Sequence, residues 1–276
     1  MGRGQMSKDS KEIQMKIISL GLGVQSTAMY LMSSLGEIDR ADYAVFADPG
    51  LEHPETYQLL NFLKKWLVKN NGIPIISKQK SLYKDLLNQQ NSTGQRFSSI
   101  PAFTESEDGG GMLRRQCTKE YKIDVVVKAV RELYGLKPRK RMPMTEFWLG
   151  ITLDEIMRMK DSRLPRVKNI YPLIEKGLRR SDCLKWLNDN KFPQPIKSAC
   201  AFCPYQSDSQ WKRLKQKHPN LFKKAVNVDN TIRDSTKKGI KQRAYLHRSL
   251  TPLDQVDFES QLDLFDSSCD GGYCGL

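Results

Sequence analysis

The sequence predicts an α/β protein: a parallel twisted sheet with helices on both faces, followed by a mostly helical, cysteine-containing C-terminal part. Two observations carry this. Over the first 150 residues, short apolar runs of strand length alternate with amphipathic segments of helix length, the pattern of right-handed strand–helix–strand units. Beyond residue 150 helical spacing dominates, and a Cys-x-x-Cys stands at Cys200 and Cys203.

Met15–Leu20 (MKIISL) reads as a buried strand that ends in a glycine-rich stretch. Gly21–Thr27 then turns into a helix from Ser26 to about Ser34, with hydroxyls suited to its first turn. Tyr43–Ala47 is a second strand, ending at Asp48-Pro49-Gly50. Pro54 opens a helix to about Asn70, with Leu59, Leu60, Leu63, Trp66 and Leu67 on one face. Ile73–Ile76 reads as a third strand and Leu82–Leu87 as a short helix. Residues 88–113 lack periodicity and hold the run Gly109-Gly110-Gly111, so a mobile lid or inserted loop is expected there. Ile123–Tyr134 follows as a helix and Glu146–Ile151 as a fourth strand, after which helices are expected at about 152–160, 181–189, 206–216, 219–235 and 256–265. The division this implies is a flexible N-terminus (1–14), a nucleotide-binding α/β domain (15–175), a basic helical region with cysteines (176–266) and a mobile tail (267–276).

With 276 residues and 39% hydrophobic content the chain can bury an ordinary core. No apolar run approaches the roughly 18 residues a membrane helix needs, and the first fifteen residues hold no apolar block. A cytoplasmic protein without a membrane partner is expected. Charge is unevenly placed. Residues 1–110 carry 12 basic and 12 acidic side chains, residues 111–248 carry 33 against 13, and residues 249–276 carry none against six. A block of net +20 attracts polyanions through phosphate neutralisation. Arg139, Lys140, Arg141, Arg163, Arg166, Arg179, Arg180, Lys212 and Arg213 are its candidate nucleic-acid contacts.

Ligands of a parallel sheet sit beyond the carboxyl ends of its strands, here Leu20-Gly21, Ala47-Asp48 and Gly150-Ile151. The first of these carries Ser19-Leu-Gly-Leu-Gly-Val-Gln-Ser-Thr27. Gly21 and Gly23 let backbone approach phosphate, Ser26 and Thr27 offer hydroxyls, and the following helix points free N–H groups at the ligand. The loop has no Gly-Lys-[Ser/Thr], and Ser26 stands where a dinucleotide fingerprint needs its third glycine.

Together with Asp48-Pro-Gly-Leu-Glu-His-Pro-Glu-Thr56, this loop resembles that of the PP-loop ATP pyrophosphatases, the adenine nucleotide alpha hydrolase superfamily. Within it the sequence is similar to the phosphoadenylylsulfate (PAPS) reductase-like branch, whose loop resembles Ser-Gly-Gly-x-Asp-Ser-Thr. The resemblance spans roughly residues 15–205. It implies ATP cleaved with Mg²⁺, catalytic roles for Gln25 and Asp48, and nucleotide contacts from Ser19, Gly21, Gly23, Gln25, Ser26, Thr27, Asp48 and Glu52. Trp148-Leu-Gly-Ile-Thr-Leu-Asp-Glu-Ile-Met-Arg158 resembles the family's segment after the fourth strand, which adds Gly150, with adenosine lying close to it, Glu155 and Arg158. Three positions depart from the pattern: Gln25 replaces the usual Asp, Leu22 the usual Gly and Thr152 the usual Arg.

Cys200-Ala-Phe-Cys203 by itself suits either one metal centre or a redox pair. Arg114-Arg-Gln-Cys-Thr-Lys-Glu-Tyr-Lys122 looks like the reductases' Cys-Cys-x-x-x-Lys segment, with Thr118 for the second cysteine. In relatives bearing a [4Fe–4S] cluster these two segments hold the iron, which implies Cys117, Cys200 and Cys203 as ligands and Cys183 as a candidate fourth. Zinc has the same ligand count. Tyr273-Cys-Gly-Leu276 looks like the mobile end of many sulfonucleotide reductases, which implies Cys274 as a nucleophile; Cys269 and Cys274 are also possible cluster ligands.

Two enzymatic readings and one binding reading follow. In the first, an ATP pyrophosphatase of sulfurtransferase type adenylates a nucleic acid (DNA or tRNA) for sulfur incorporation, with a cysteine desulfurase or other sulfur donor as partner. Its relatives would be the DNA phosphorothioation (DndC/SspD-like) proteins or cluster-dependent tRNA thiolation enzymes. In the second, adenylylsulfate or phosphoadenylylsulfate is reduced to sulfite with Cys274 as nucleophile. In the third, the chain is a nucleic-acid-binding subunit with a degenerate nucleotide site.

Overall fold

The computed structural model of the chain describes residues 13–105, 110–235 and 242–258. In chain order its strands are β1 (Met15–Ser19), β2 (Tyr43–Asp48), β3 (Ile75–Gln79), β4 (Phe103–Thr104), β5 (Gly111–Met112), β6 (Thr145–Trp148), β7 (Val167–Ile170) and β8 (Ala244–Tyr245). Its α-helices are α1 (Val24–Leu35), α2 (Pro54–Asn70), α3 (Leu82–Leu87), α4 (Asp124–Leu133), α5 (Pro172–Glu175), α6 (Arg180–Asp189), α7 (Asp208–Lys217) and α8 (Pro219–Arg233). Five strands form a parallel sheet in the order β3-β2-β1-β6-β7.

Strand alternation places helices on both faces. Ile18, Phe46 and Trp148 point into a core shared with α1, α2 and α6. Their neighbours Ile17, Val45 and Phe147 point the other way, beneath Val126, Ala129 and Val130 of α4. The expected α/β fold is the observed one. Two strands differ from the sequence reading, and both are at the sheet edges. β3 runs on through Ser77, Lys78 and Gln79, where one side of the strand meets water and apolar continuity is not needed. Ile73, expected to open that strand, is instead buried against α1, its N–H bonded to Ser34 Oγ. β7 (VKNI) lies where no strand was expected; two apolar residues in four leave no run to detect.

A second core lies beside the sheet. Leu82 and Leu86 of α3, Trp211 and Leu214 of α7, and Phe222, Val228 and Ile232 of α8 pack with Tyr121, Phe202 and Leu246. Residues 88–105 are built into this core through Phe97, Ile100 and Ala102, and β4 pairs with β5 and β8. Part of the segment expected as a mobile lid or inserted loop thus contributes to a core, and its buried Phe97, Ile100 and Ala102 follow neither a helix nor a strand period. Nor does the boundary drawn at 175/176 separate the cores. Cys183 and Leu187 of α6 pack in the first, while α3 and Tyr121 from the N-terminal half belong to the second. The helix expected at 256–265 lies mostly outside the described residues, as does the tail with Cys269 and Cys274.

Buried polar bonds hold the last described segment in place. Asp229 of α8 is fully buried and accepts the main-chain N–H groups of Leu246 at 2.7 Å and Leu253 at 3.0 Å, while pairing with Arg233. Burial holds its carboxyl above the usual range, against the pull of these donors. Asp229→Ala strips two buried N–H groups and an arginine of their acceptor, so a loss of about 3–5 kcal/mol is expected in urea unfolding. Nucleotide binding at the sheet edge should survive wherever the variant stays folded.

Candidate functional site

The carboxyl edge of the sheet opens into a cleft of about 200 Å³. Its floor is the β1–α1 loop. Gly23 precedes α1 in extended backbone, and no side chain caps the helix, whose first turn carries no acidic residue. Those N–H groups face the cleft as an anion site. Leu22 holds the left-handed conformation (φ 58°) that glycine would adopt more easily, and its side chain is buried. Burial of the leucine offsets a backbone cost of about 1 kcal/mol, so the loop keeps its turn without a glycine at this position.

Of the sequence-predicted nucleotide residues, Ser19, Gly21, Gly23, Gln25, Ser26, Glu52, Gly150, Glu155 and Arg158 line this cleft. Thr27 does not: it is fully buried on α1. Asp48 is the larger correction. Its carboxylate accepts from the Gly50 N–H at 2.7 Å, the Tyr57 hydroxyl at 2.9 Å and Gln79 Nε2 at 3.1 Å, and the residue is not part of the cleft wall. It shapes the turn that leaves β2. Glu52, four residues on, is the carboxylate that reaches the cleft, where Ser198 Oγ donates to its Oε2 at 3.2 Å.

Gly150 also shapes the loop. A Cβ there would stand 2.7 Å from the Ser26 nitrogen and 2.8 Å from its Cα, so only glycine lets the strand end abut the β1–α1 loop. Beyond it Glu155 and Arg158 form an ion pair at 2.7 Å. Burial raises the Glu155 carboxyl above its usual range, although Arg158 opposes this. Cations that the loop motifs alone did not single out for this cleft are Lys122, Arg180 and Lys197. With Arg158 they give four cations against Glu52 and Glu155, a balance suited to a polyphosphate. Lys122 had a signal, as the last residue of the Cys117–Lys122 segment; Lys197 and Ser198 had none beyond their nearness to Cys200.

Next to this cleft a smaller pocket is lined by Cys117, Cys200 and Cys203, and Thr118 and Lys122 line both. The Cys203 N–H bonds the Cys200 carbonyl at 2.9 Å, a tight turn. This turn is anchored to the exit of β2 by the bridge between Glu52 and Cys200 and by the Ala201 N–H on the Leu51 carbonyl. Three thiols and no carboxylate or imidazole line the pocket, the donor set of a soft metal or an iron–sulfur centre. Among the described residues no three His, Cys, Asp or Glu side chains stand at metal-holding spacing. Cys183 is corrected as a fourth ligand: it is fully buried in the first core, and burial pushes its thiol up to about 12.

The basic set does not form one patch. Arg139, Lys140 and Arg141 precede β6, and Arg163 and Arg166 precede β7, so all five lie towards the amino edge of the sheet, away from the cleft. Arg179 caps α6 and Arg180 lines the cleft. Lys212 and Arg213 are on α7, where Arg213 binds Glu55 at 2.7 Å. Adjacency in sequence is no guide here because the block is spread over loops at opposite ends of parallel strands.

No protein-family model and no curated protein matches the sequence. Among solved structures, the chain is similar to the U34-tRNA thiolase NcsA from Methanococcus maripaludis with its [4Fe-4S] cluster, at 16% identity over 82% of this chain and 73% of that one, with a TM-score of 0.40. No helix among the described residues is long and apolar enough to cross a membrane.

Proposed function

We propose that the protein binds ATP in the cleft at the sheet edge and uses it to adenylate a nucleic acid, so that sulfur can replace the activated oxygen. One observation carries this reading: a helix-terminus anion site and a three-thiol pocket share Thr118 and Lys122 as a common wall. Nucleotide activation and sulfur chemistry need such adjacency; either alone does not.

In this reading the α1 N-terminus and the cleft cations hold the phosphates, and Mg²⁺ enters with ATP, with Glu52 as the cleft carboxylate able to meet it. The acceptor oxygen attacks the α-phosphorus and pyrophosphate leaves. A sulfur nucleophile then displaces AMP, which departs with the original oxygen. The chain's own contribution is positioning and charge stabilisation by loop amides and Lys122, Arg158, Arg180 and Lys197. Gln25 faces the phosphates without adding negative charge. Cys117, Cys200 and Cys203 would hold an iron–sulfur centre, whose chemistry when bound is to accept and present sulfur. A cysteine desulfurase or comparable donor would supply that sulfur, and tRNA and DNA are both candidate acceptors.

Incubation with α-labelled ATP, with and without tRNA or DNA, tests this. Pyrophosphate released only with nucleic acid, and labelled AMP released once a sulfur donor is added as well, are expected. Sulfite released from adenylylsulfate, with no nucleic-acid-dependent AMP, would replace this reading by the reductase one, whose nucleophile Cys274 lies outside the described residues.

A further inference from the structure

A second and larger opening, about 600 Å³, lies on the other side of Glu52. It is a groove between α2 and the elbow where α7 meets α8. Its polar walls come from Gln58 and Asn61 on one side and from Lys217, His218, Asn220 and Lys224 on the other; the Glu55 carboxylate of α2 is engaged by His218 at 3.2 Å and by Arg213 at 2.7 Å. Glu52 is its one carboxylate; it is 2% exposed and accepts from Ser198, a residue of the nucleotide cleft. The groove's solvent-facing charge is therefore cationic, with carboxamides beside it. Its inner wall is braced: the Tyr57 hydroxyl accepts the Glu52 N–H at 3.2 Å and donates to Asp48 at 2.9 Å, tying α2 to the end of β2. Groove and cleft thus meet at one residue.

We propose that this groove receives a single-stranded stretch of the nucleic-acid acceptor and leads it towards the nucleotide cleft. The proposal rests on the reading above of a nucleic-acid substrate and adds where that substrate lies. Ammonium groups neutralise phosphates, and amides pair with the exposed edges of unstacked bases, which is how single strands are gripped. A volume of this order fits a nucleotide-sized guest. The sequence-level basic clusters at 139–141 and 163–166 lie towards the opposite edge of the sheet, whereas Lys217 and Lys224 stand next to the site where the acceptor must react. A protein partner is the other possible occupant, but a groove with two lysines and one shielded acid favours a polyanion.

The test is binding of a short fluorescent single-stranded oligonucleotide, as DNA and as RNA, to the full chain over a salt series. Lys217→Ala with Lys224→Ala is expected to weaken binding about tenfold and to lower the slope of log K against log salt by about 1.4, two phosphate contacts at about 0.7 each. Lys69→Ala with Lys128→Ala, the same charge change outside the groove, should change affinity less than about twofold. Asn61→Ala with Asn220→Ala should weaken binding and leave the slope intact. ATP affinity should be unchanged in all three. If the wild-type chain binds the oligonucleotide and the groove lysine pair alters neither affinity nor slope, the groove assignment is wrong while the nucleic-acid reading stands. If those variants lose sulfur transfer only when a protein delivers the sulfur, with oligonucleotide binding intact, the groove docks a protein and the proposal fails. A wild-type chain that binds no oligonucleotide at all removes the nucleic-acid reading itself.

Discussion

Gly150→Ala should cost the protein its nucleotide while leaving the fold in place. The added methyl would sit 2.7 Å from the Ser26 nitrogen and 3.1 Å from the Gln25 carbonyl carbon, both backbone atoms at the start of α1. Backbone cannot rotate out of the way as a side-chain tip can, so the loop must move off the strand end. Overpacking of this kind costs about 1–3 kcal/mol, roughly 5- to 150-fold if all of it is expressed in ATP affinity. Gly23→Ala is the informative companion. A Cβ at Gly23 meets nothing within 4 Å, and its φ of −88° is open to any residue, so the unliganded protein should lose only the roughly 0.5–1 kcal/mol by which alanine is the poorer residue at a helix N-cap. ATP binding should nonetheless fall, because the methyl would project where phosphate approaches the helix terminus. Titration calorimetry with ATP, alongside thermal unfolding without it, separates the two effects. A Gly150→Ala protein that binds ATP like the parent would mean that phosphate lies elsewhere.

Much of this site was legible in the sequence because its parts are local. A strand, a glycine turn and a helix start within Met15–Leu35, and the turn alone creates the anion site. The helix bounds Pro54–Asn70 and Leu82–Leu87 were readable for the same reason, as a proline start and a short apolar cluster. What sequence could not show is which way a side chain turns once several neighbours compete for it. Asp48 stands at the strand end as its motif requires, yet Gly50, Tyr57 and Gln79 supply three donors that engage its carboxylate, and it does not line the cleft. Cys183 has the residue type of a ligand and the location of a core residue, since its helix packs on α1 and not beside Cys200. The second core was also hidden. It gathers α3, isolated residues around 97–102, Tyr121 and the two C-terminal helices, and contacts so far apart in the chain leave no periodic mark.

The cysteines give the largest contrast between neighbouring predictions. Chain purified without oxygen should be brown, with iron and acid-labile sulfide near about four each if the centre is of the four-iron kind. Cys117→Ser, Cys200→Ser and Cys203→Ser should each remove most of the iron, and with it sulfur transfer, because all three line one pocket. Cys183→Ala should retain both. Metal ligation needs thiolate, and Cys183 is poorly able to supply it: burial first, then the charges of Asp182 and Asp154, push it up to about 12. The truncation leaves a small cavity in the first core, so some stability is lost, about 1–2 kcal/mol, without touching the iron. Iron content and the visible spectrum therefore read ligation, and urea unfolding reads packing. The two readouts should move in opposite patterns across the four variants. Bleaching by Cys183→Ala in a folded protein would place a ligand in the first core and refute the three-thiol pocket, and a colourless parent protein holding one zinc per chain would replace the cluster by a tetrahedral metal.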